Sequence, residues 1–284
     1  MKGRDPLVSV IMRSHNDGQY VDEAIKSVLT QTYQHLEVVI VNDGSTDATF
    51  DRLEYWRRTD ARVRPIHNNP NRGGPASANI ALGAAVGEYV ANLDADNYWV
   101  DRQKLAQQVA FLEANPDYVL VGGLTQKVNR RGQPLGIIRR PETDEAIRRQ
   151  FLRRNPIGAS AVCFRRHSAV SVGGYPQHLR FSEDYGLWLA LGQLGKVHNL
   201  QRIWNAYRVT GDNINDLQPV PQLVDQMHYV RKYRRAYPGY RRAMLACMSR
   251  RMRLGFAKWV SPYPRAAAGI QALKSLKNAW GGAE

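Results

Sequence analysis

Two hydrophobic periods alternate through the first hundred residues. LVSVIM (7–12) and LEVVIVN (36–42) are nearly continuous apolar runs rich in β-branched residues, the pattern of strands buried on both faces. Between them VDEAIKSVLTQT places Val21, Ile25, Val28 and Leu29 on one helical face. Phe50, Leu53 and Trp56 mark a second helix, with Ser45 or Thr46 as its cap. A short strand, VRPIH, precedes a small-residue helix, PASANIALGAAV, opened by Pro75, and EYVANL then forms a strand ending at Asp94. Strands separated by helices of this length imply right-handed crossovers and a mostly parallel sheet covered on both faces. In such sheets ligands bind at the carboxyl ends of the strands.

The pattern changes after Asp101, a cap for the helix bearing Leu105, Val109 and Leu112. YVLVGGLTQKVN and PLGIIRR read as strands joined by a turn at Arg131-Gly132, so the second part of the sheet is expected to be mixed. A polar helix around DEAIRRQFLRRN, the apolar segment IGASAVCF and a Gly-Gly turn lead to a helix whose buried face carries Leu187, Leu191 and Leu194. From about Val220 the chain reads as basic helices interrupted at Pro238, Pro262 and Pro264. The expected division is a domain over 1–219, with a nucleotide part to about residue 100 and an acceptor part over 101–219, followed by a basic helical extension over 220–284.

Charge alters this picture mainly at the end. The 284-residue chain has 40 Lys+Arg against 25 Asp+Glu. From Met227 onward there are 13 Lys/Arg and one acid, so a net +12 of the +15 lies there. Such a tail can lie on anionic lipid or bind nucleic acid, and the simpler reading is a set of solvated helix faces. Tyr229, Tyr233, Tyr237 and Tyr240 are spaced either to stack on bases or to pack a helix hairpin. Cys163 and Cys247 stand far apart and signal neither a disulfide framework nor a zinc site. Without a signal-peptide pattern or a run of roughly 18 apolar residues, the expected location is the cytoplasm, peripheral at the inner face of the membrane.

Three acidic clusters at strand ends carry the candidate chemistry: Asp43 and Asp47 in VNDGSTD, Asp94 and Asp96 in NLDADN, and Glu183 and Asp184 in FSEDYGLW. Carboxylates gathered there are costly unless they hold a cation or hydroxyls, or move protons. Asp94 and Asp96 are spaced to straddle one Mg²⁺ or Mn²⁺, whose other oxygens come from a diphosphate, or else to form a polar turn capping the next helix. Asp43, before Gly44, suits contact with a ribose or base, while Asp47 favours a helix N-terminus. The Glu183-Asp184 pair either complements the dipole of its helix or supplies a general base. Asn155 and Ser160 read as acceptor contacts or as ordinary loop and strand polar residues. Neither a Gly-x-Gly-x-x-Gly nor a Gly-Lys-Ser/Thr loop is present, so a bound nucleotide would be held by metal and carboxylates.

Taken in order, SVIMRSHNDGQYVDEAIKSVLTQTYQHLEVVIVNDGSTDAT, GGPASANIALGAAVGEYVANLDADN, GASAVCFRRHSAVSVGGY and SEDYGLWLAL resemble the GT-A-fold family 2 glycosyltransferases over roughly residues 6–215. The resemblance implies a GT-A α/β fold and an inverting transfer from a nucleoside-diphosphate sugar, with a UDP-sugar as the expected donor. It implies that Asp43 contacts the base or ribose, that Ser14 and Asn16 lie in the segment cradling the base, and that Asp94 holds ribose. Asp96, with Asp94, would hold Mn²⁺ or Mg²⁺; Asp184 would be the catalytic base, with Glu183 beside it near the acceptor. The implied acceptor is a glycan or a lipid-linked sugar, as in polysaccharide biosynthesis.

The chain departs from the family at three places. Arg13-Ser14-His15-Asn16 stands where many members read Pro-Thr-Tyr-Asn, and Thr210 stands where many carry a metal-joining His. The Gln-x-x-Arg-Trp signature of processive synthases is absent, which favours single addition. Two other classes are a nucleotide-sugar-binding protein without turnover, and a nucleic-acid-binding protein driven by the tail. Nucleic acid ranks below a membrane surface as the tail's partner.

Overall fold

The computed structural model describes residues 5–179, 181–211 and 219–260. β1 (Val8–Ser14), α1 (Val21–Leu29), β2 (Leu36–Asp43), α2 (Thr49–Thr59), β3 (Val63–Asn68), α3 (Gly74–Ala84) and β4 (Tyr89–Asn92) follow the order expected from the two hydrophobic periods. β5 (Tyr98–Trp99), α4 (Lys104–Ala114), β6 (Tyr118–Val128), β7 (Pro134–Ile138), α5 (Asp144–Arg148), β8 (Cys163–Arg165), α6 (Arg166–Ser171), α7 (Glu183–Leu194) and β9 (Lys196–Arg208) complete the sheet. Two helices follow, α8 (Pro219–Lys232) and α9 (Tyr240–Val260).

The sheet runs β3-β2-β1-β4-β8-β6-β9-β5, with β7 paired to β6. Its first four strands are parallel, in the register Val10↔Val38 and Val10↔Ala91. β8 is antiparallel to both β4 and β6, while β6 and β9 run parallel. This is the mixed α/β sheet of a GT-A fold. The apolar segment IGASAVCF divides into a 3-10 turn at Ala159–Ala161 and the three-residue β8, because an antiparallel insertion between β4 and β6 needs a sharp reversal.

Alternation along the strands sorts side chains onto two cores. Val38 and Ile40 pack with α1, α2 and α4 through Ile25, Leu53 and Leu105, whereas Val39 and Val41 face α3 through Ala78 and Leu82. Each fully buried aliphatic side chain stabilises the fold by about 1.5–3 kcal/mol. The cap of α2 differs from expectation: Asp47, two residues before the helix, accepts from Thr49 N at 3.0 Å, rather than Ser45 or Thr46.

The second core continues past residue 220. Leu223, Met227, Tyr229, Val230, Tyr233, Tyr237, Ala243 and Cys247 belong to the cluster that contains Phe151, Leu187 and Trp188. The Tyr237 hydroxyl donates to Leu189 O at 2.6 Å and that of Tyr229 to Ser182 O at 3.2 Å. Gly186 permits the approach, since a Cβ there would overlap the Tyr229 ring. These three tyrosines therefore pack the helix pair and are closed to nucleobases. The residues expected to extend the tail beyond Val260 lie outside the described residues.

Candidate active site

The carboxyl ends of β1 and β2 deliver two loops that are sewn to each other. Ser14 Oγ and His15 N donate to Asp17, at 3.0 and 2.9 Å. Asn16 Oδ1 accepts from Thr46 N at 2.8 Å, and Asp47 accepts from Gly18 N at 3.0 Å. The side chains of Ser14 and Asn16 are thus bonded to the loop framework. His15 Nδ1 lies 2.9 Å from Asp43 O and 3.2 Å from Asn71 Nδ2, so the ring is held by both groups.

Asp43 is similarly committed. It accepts from Asn68 Nδ2 at 2.9 Å and from the Arg72 and Gly73 amides at 2.8 and 2.9 Å. Burial opposes its charge, but the Arg72 amide, Asn68, Ser77 and the Gly73 amide together hold it below the usual carboxylate range. The carboxylate expected to meet a ligand directly holds the loop entering α3, so a base or ribose there would share its oxygens.

Arg13 joins the other two clusters. Its guanidinium donates to Asp94 Oδ1 at 3.0 Å and pairs with Glu183, across 170 residues of sequence. Burial works against that charge, yet Glu183 and Asp94 raise its pKa. The residue standing in place of the family's Pro is therefore the tie between the Asp-x-Asp loop and the start of α7. Asp94 also accepts from Ser160 Oγ at 2.9 Å, which fixes Ser160 as support for the acidic loop.

Asp96 is the exception within the loop. Its side chain makes no hydrogen bond or ion pair with the described residues, while Arg208 holds its carbonyl at 3.0 Å. Burial pushes the Asp96 carboxyl up to about 7, reinforced by the charges of Asp94 and Asp17. Arg208 is itself buried, donates to Glu23 at 2.5 Å and stacks over Tyr20 with its guanidinium carbon 4.6 Å from the ring centroid. Neither Arg208 nor Asp17 belongs to the three acidic clusters; the sequence marks Arg208 only by its place two residues before Thr210. Thr210, standing where the family's His would be, has its carbonyl bound by Arg130 Nε at 2.6 Å. No group of three or more His, Cys, Asp or Glu side chains fit to hold a metal occurs among the described residues.

Asp184 occupies the first turn of α7. Asn155 Nδ2 donates to it at 3.0 Å, while burial and the neighbouring Glu183 push it up to about 6 against the pull of the Tyr185 amide and Arg13. Ser182 just before the pair takes a left-handed conformation, φ 72°; Asn16, φ 61°, is the other such non-glycine residue among those described. Both flank the crevice, where such strain concentrates.

A parallel half-sheet carries an Asp-x-Asp loop after β4, bridged by Arg13 to the acidic start of α7, within a mixed sheet of the GT-A kind. The model of glycosyl transferase family 2 matches residues 9–171. The chain belongs to that family and is a glycosyltransferase. An uncharacterized glycosyltransferase of Haemophilus influenzae is 32% identical over 231 residues, 75% of this chain and 68% of that protein. The Escherichia coli UDP-Glc:alpha-D-GlcNAc-diphosphoundecaprenol beta-1,3-glucosyltransferase WfaP is 30% identical, covering 74% of this chain and 80% of its own. The same fold occurs in S. aureus TarS in complex with UDP-GlcNAc, at a TM-score of 0.64 and 21% identity, over 79% of this chain and 64% of that one. It occurs also in the mannosyltransferase PcManGT from Pyrobaculum calidifontis with GDP-Man and Mn²⁺, at 0.63 and 19%, over 98% and 88%.

Proposed function

We propose that the chain transfers a sugar, with inversion, from a UDP-sugar to a hydroxyl of a glycan or lipid-linked acceptor. The observation that carries this reading is the bridge by which Arg13 joins Asp94, two residues before Asp96, to Glu183, the neighbour of Asp184. The donor and acceptor named for the WfaP relative support it.

The residues fit a divalent cation. Asp96 is a partly buried carboxylate whose side chain has no hydrogen-bond partner among the described residues, near Asp94 and Asp17, and Mg²⁺ and Mn²⁺ bind through one or two carboxylates plus substrate phosphates. Asp96, with Asp94 beside it, would hold the ion, which would offset the charge growing on the nucleoside diphosphate. Asp43 and the loop it fixes would shape the nucleoside end, and Ser160 would keep Asp94 in place.

On the acceptor side the Asp184 carboxylate takes the proton of the attacking hydroxyl. The new bond forms at the anomeric carbon opposite the bond to the diphosphate, which leaves with its electron pair. Asn155 orients the carboxylate, and Glu183 with Arg13 maintains its distance from the acidic loop. A base near 6 is ionised above that pH, so transfer should rise as pH passes through about 6 and then level. The test is release of UDP from a panel of UDP-sugars across pH, on wild type and Asp184→Asn. A flat profile, or unchanged release in the variant, would remove Asp184 from the base role.

The reading includes peripheral contact with an anionic membrane. Leu245, Met248 and Met252 are 65%, 50% and 68% exposed, at helical spacing on α9, amid exposed Arg241, Arg242, Arg250, Arg251 and Arg253. No helix among the described residues is long and apolar enough to cross a membrane. Co-sedimentation with phosphatidylglycerol vesicles should weaken on Leu245→Glu with Met252→Glu, and unchanged binding would rule this face out.

A further inference from the structure

Arg140 follows β7, at the acceptor side of Asp184, and none of the roles above uses it. Its guanidinium offers five N–H donors. Among the described residues it makes one hydrogen bond, from a terminal nitrogen to Asn155 O at 3.3 Å, and its buried Nε has no partner there. Arg13 and Arg208, the other shielded arginines of the crevice, are each paired with carboxylates. Arg140 has no ion pair among the described residues.

Three observations place this cation against the reacting groups. Asn155 is its hydrogen-bond partner through the carbonyl and the partner of Asp184 through Nδ2, at 3.0 Å. Gly158 lies flat against it, since a Cβ there would come within 3.2 Å of Nε and of a terminal nitrogen. Gly158 also opens the 3-10 turn whose Ser160 holds Asp94. The guanidinium therefore lies in the loop that connects the base to the acidic loop, in a space that a side chain at 158 would fill. Burial lowers its pKa to about 10 while Asp184 pulls it back and Arg154 adds to the lowering, so a second cation borders the same corner. Shielded, unpaired guanidinium donors are the complement of a planar or tetrahedral oxyanion.

We propose that Arg140 seats an anionic group, phosphate or carboxylate, carried by the acceptor close to its attacking hydroxyl. The proposal rests on the reading of Asp184 as the base. With the base accepting the hydroxyl proton, Arg140 would fix the acceptor by its charge, making acidic acceptors the preferred class. A phosphate would come from a sugar phosphate or a lipid-linked diphosphate, and a carboxylate from an acidic glycan.

The test is calorimetric titration of the UDP-saturated enzyme with glucose 1-phosphate, glucuronate and methyl glucoside. At least one anion should bind tenfold or more tightly than methyl glucoside. Arg140→Gln should abolish that preference, Arg140→Lys should keep part of it, and Arg154→Gln should leave most of it. Glucose 1-phosphate favoured over glucuronate points to phosphorylated acceptors, and the reverse to acidic glycans. Equal binding of charged and neutral probes, or a preference that survives Arg140→Gln, overturns the proposal. So does an Arg140-dependent tenfold preference for UDP-glucuronate over UDP-glucose, which moves the anion to the donor. UDP affinity, read first in each variant, reports separately on the nucleotide site.

Discussion

The two sides of the crevice treat their charges in opposite ways. On the nucleoside side the polar side chains are bonded to the loops themselves: Asp43 to the Arg72 and Gly73 amides, Asp47 to Gly18 and Thr49, and Asn16 to Thr46. On the side proposed to react, Asp96 and Asp184 are partly buried, with none and one side-chain partner among the described residues, and burial raises both. The first arrangement stabilises the fold and fixes a shape. The second costs stability and is tolerated where ions or protons must come and go.

Substitutions should separate the two sides in order of effect. Asp184→Asn, which leaves the loops of the nucleoside side untouched, is expected to lower turnover roughly 10²–10⁴-fold with UDP affinity within about twofold; steady-state kinetics and UDP titration check this. Arg13→Gln breaks a partly buried bridge to two carboxylates and should destabilise the protein by about 3 kcal/mol or more, read as a lowered urea midpoint. If that midpoint is unchanged, the bridge does not hold the two sides together. Asn155→Ala removes a donor to the ionised base, so the rise of activity should move from about 6 toward higher pH, by about one unit. A profile that stays in place would show that Asn155 does not set the proton affinity of Asp184. The smallest effect is expected for Thr210→Ala, whose carbonyl rather than hydroxyl binds Arg130. Its UDP affinity with Mn²⁺ should stay within about twofold, consistent with a site supplied by carboxylates and phosphates.

The parallel half was legible because buried strands and amphipathic helices leave hydrophobic periods, and β1 to β4 follow them closely. Two of the three acidic clusters lie at strand ends as expected, Asp43 at the end of β2 and Asp94 with Asp96 after β4, whereas Glu183 and Asp184 open α7 after the helix α6, so that cluster was legible only as a helix start. What the sequence hid are the long-range partners. Arg13 pairs with residues 81 and 170 positions away, and Arg208 with Glu23 across 185. No local period encodes such pairs. Asn155 and Ser160 read equally as acceptor contacts or as ordinary polar residues, and their bonds to Asp184 and Asp94 were hidden, since a polar residue before a strand looks the same whether or not it meets a carboxylate. Tyr229, Tyr233 and Tyr237 could be read as stacking groups or as packing until the second core was seen to include them.

The central claim is that the unpartnered Asp96 carboxylate marks a cation site that serves the nucleotide, while Asp184 serves only the reaction. Its most direct test is calorimetric titration of UDP with and without Mn²⁺ on wild type, Asp96→Asn and Asp184→Asn. The account predicts Mn²⁺-dependent binding that disappears in Asp96→Asn and persists in Asp184→Asn. Binding that is indifferent to Mn²⁺, or that is lost equally in both variants, would contradict it.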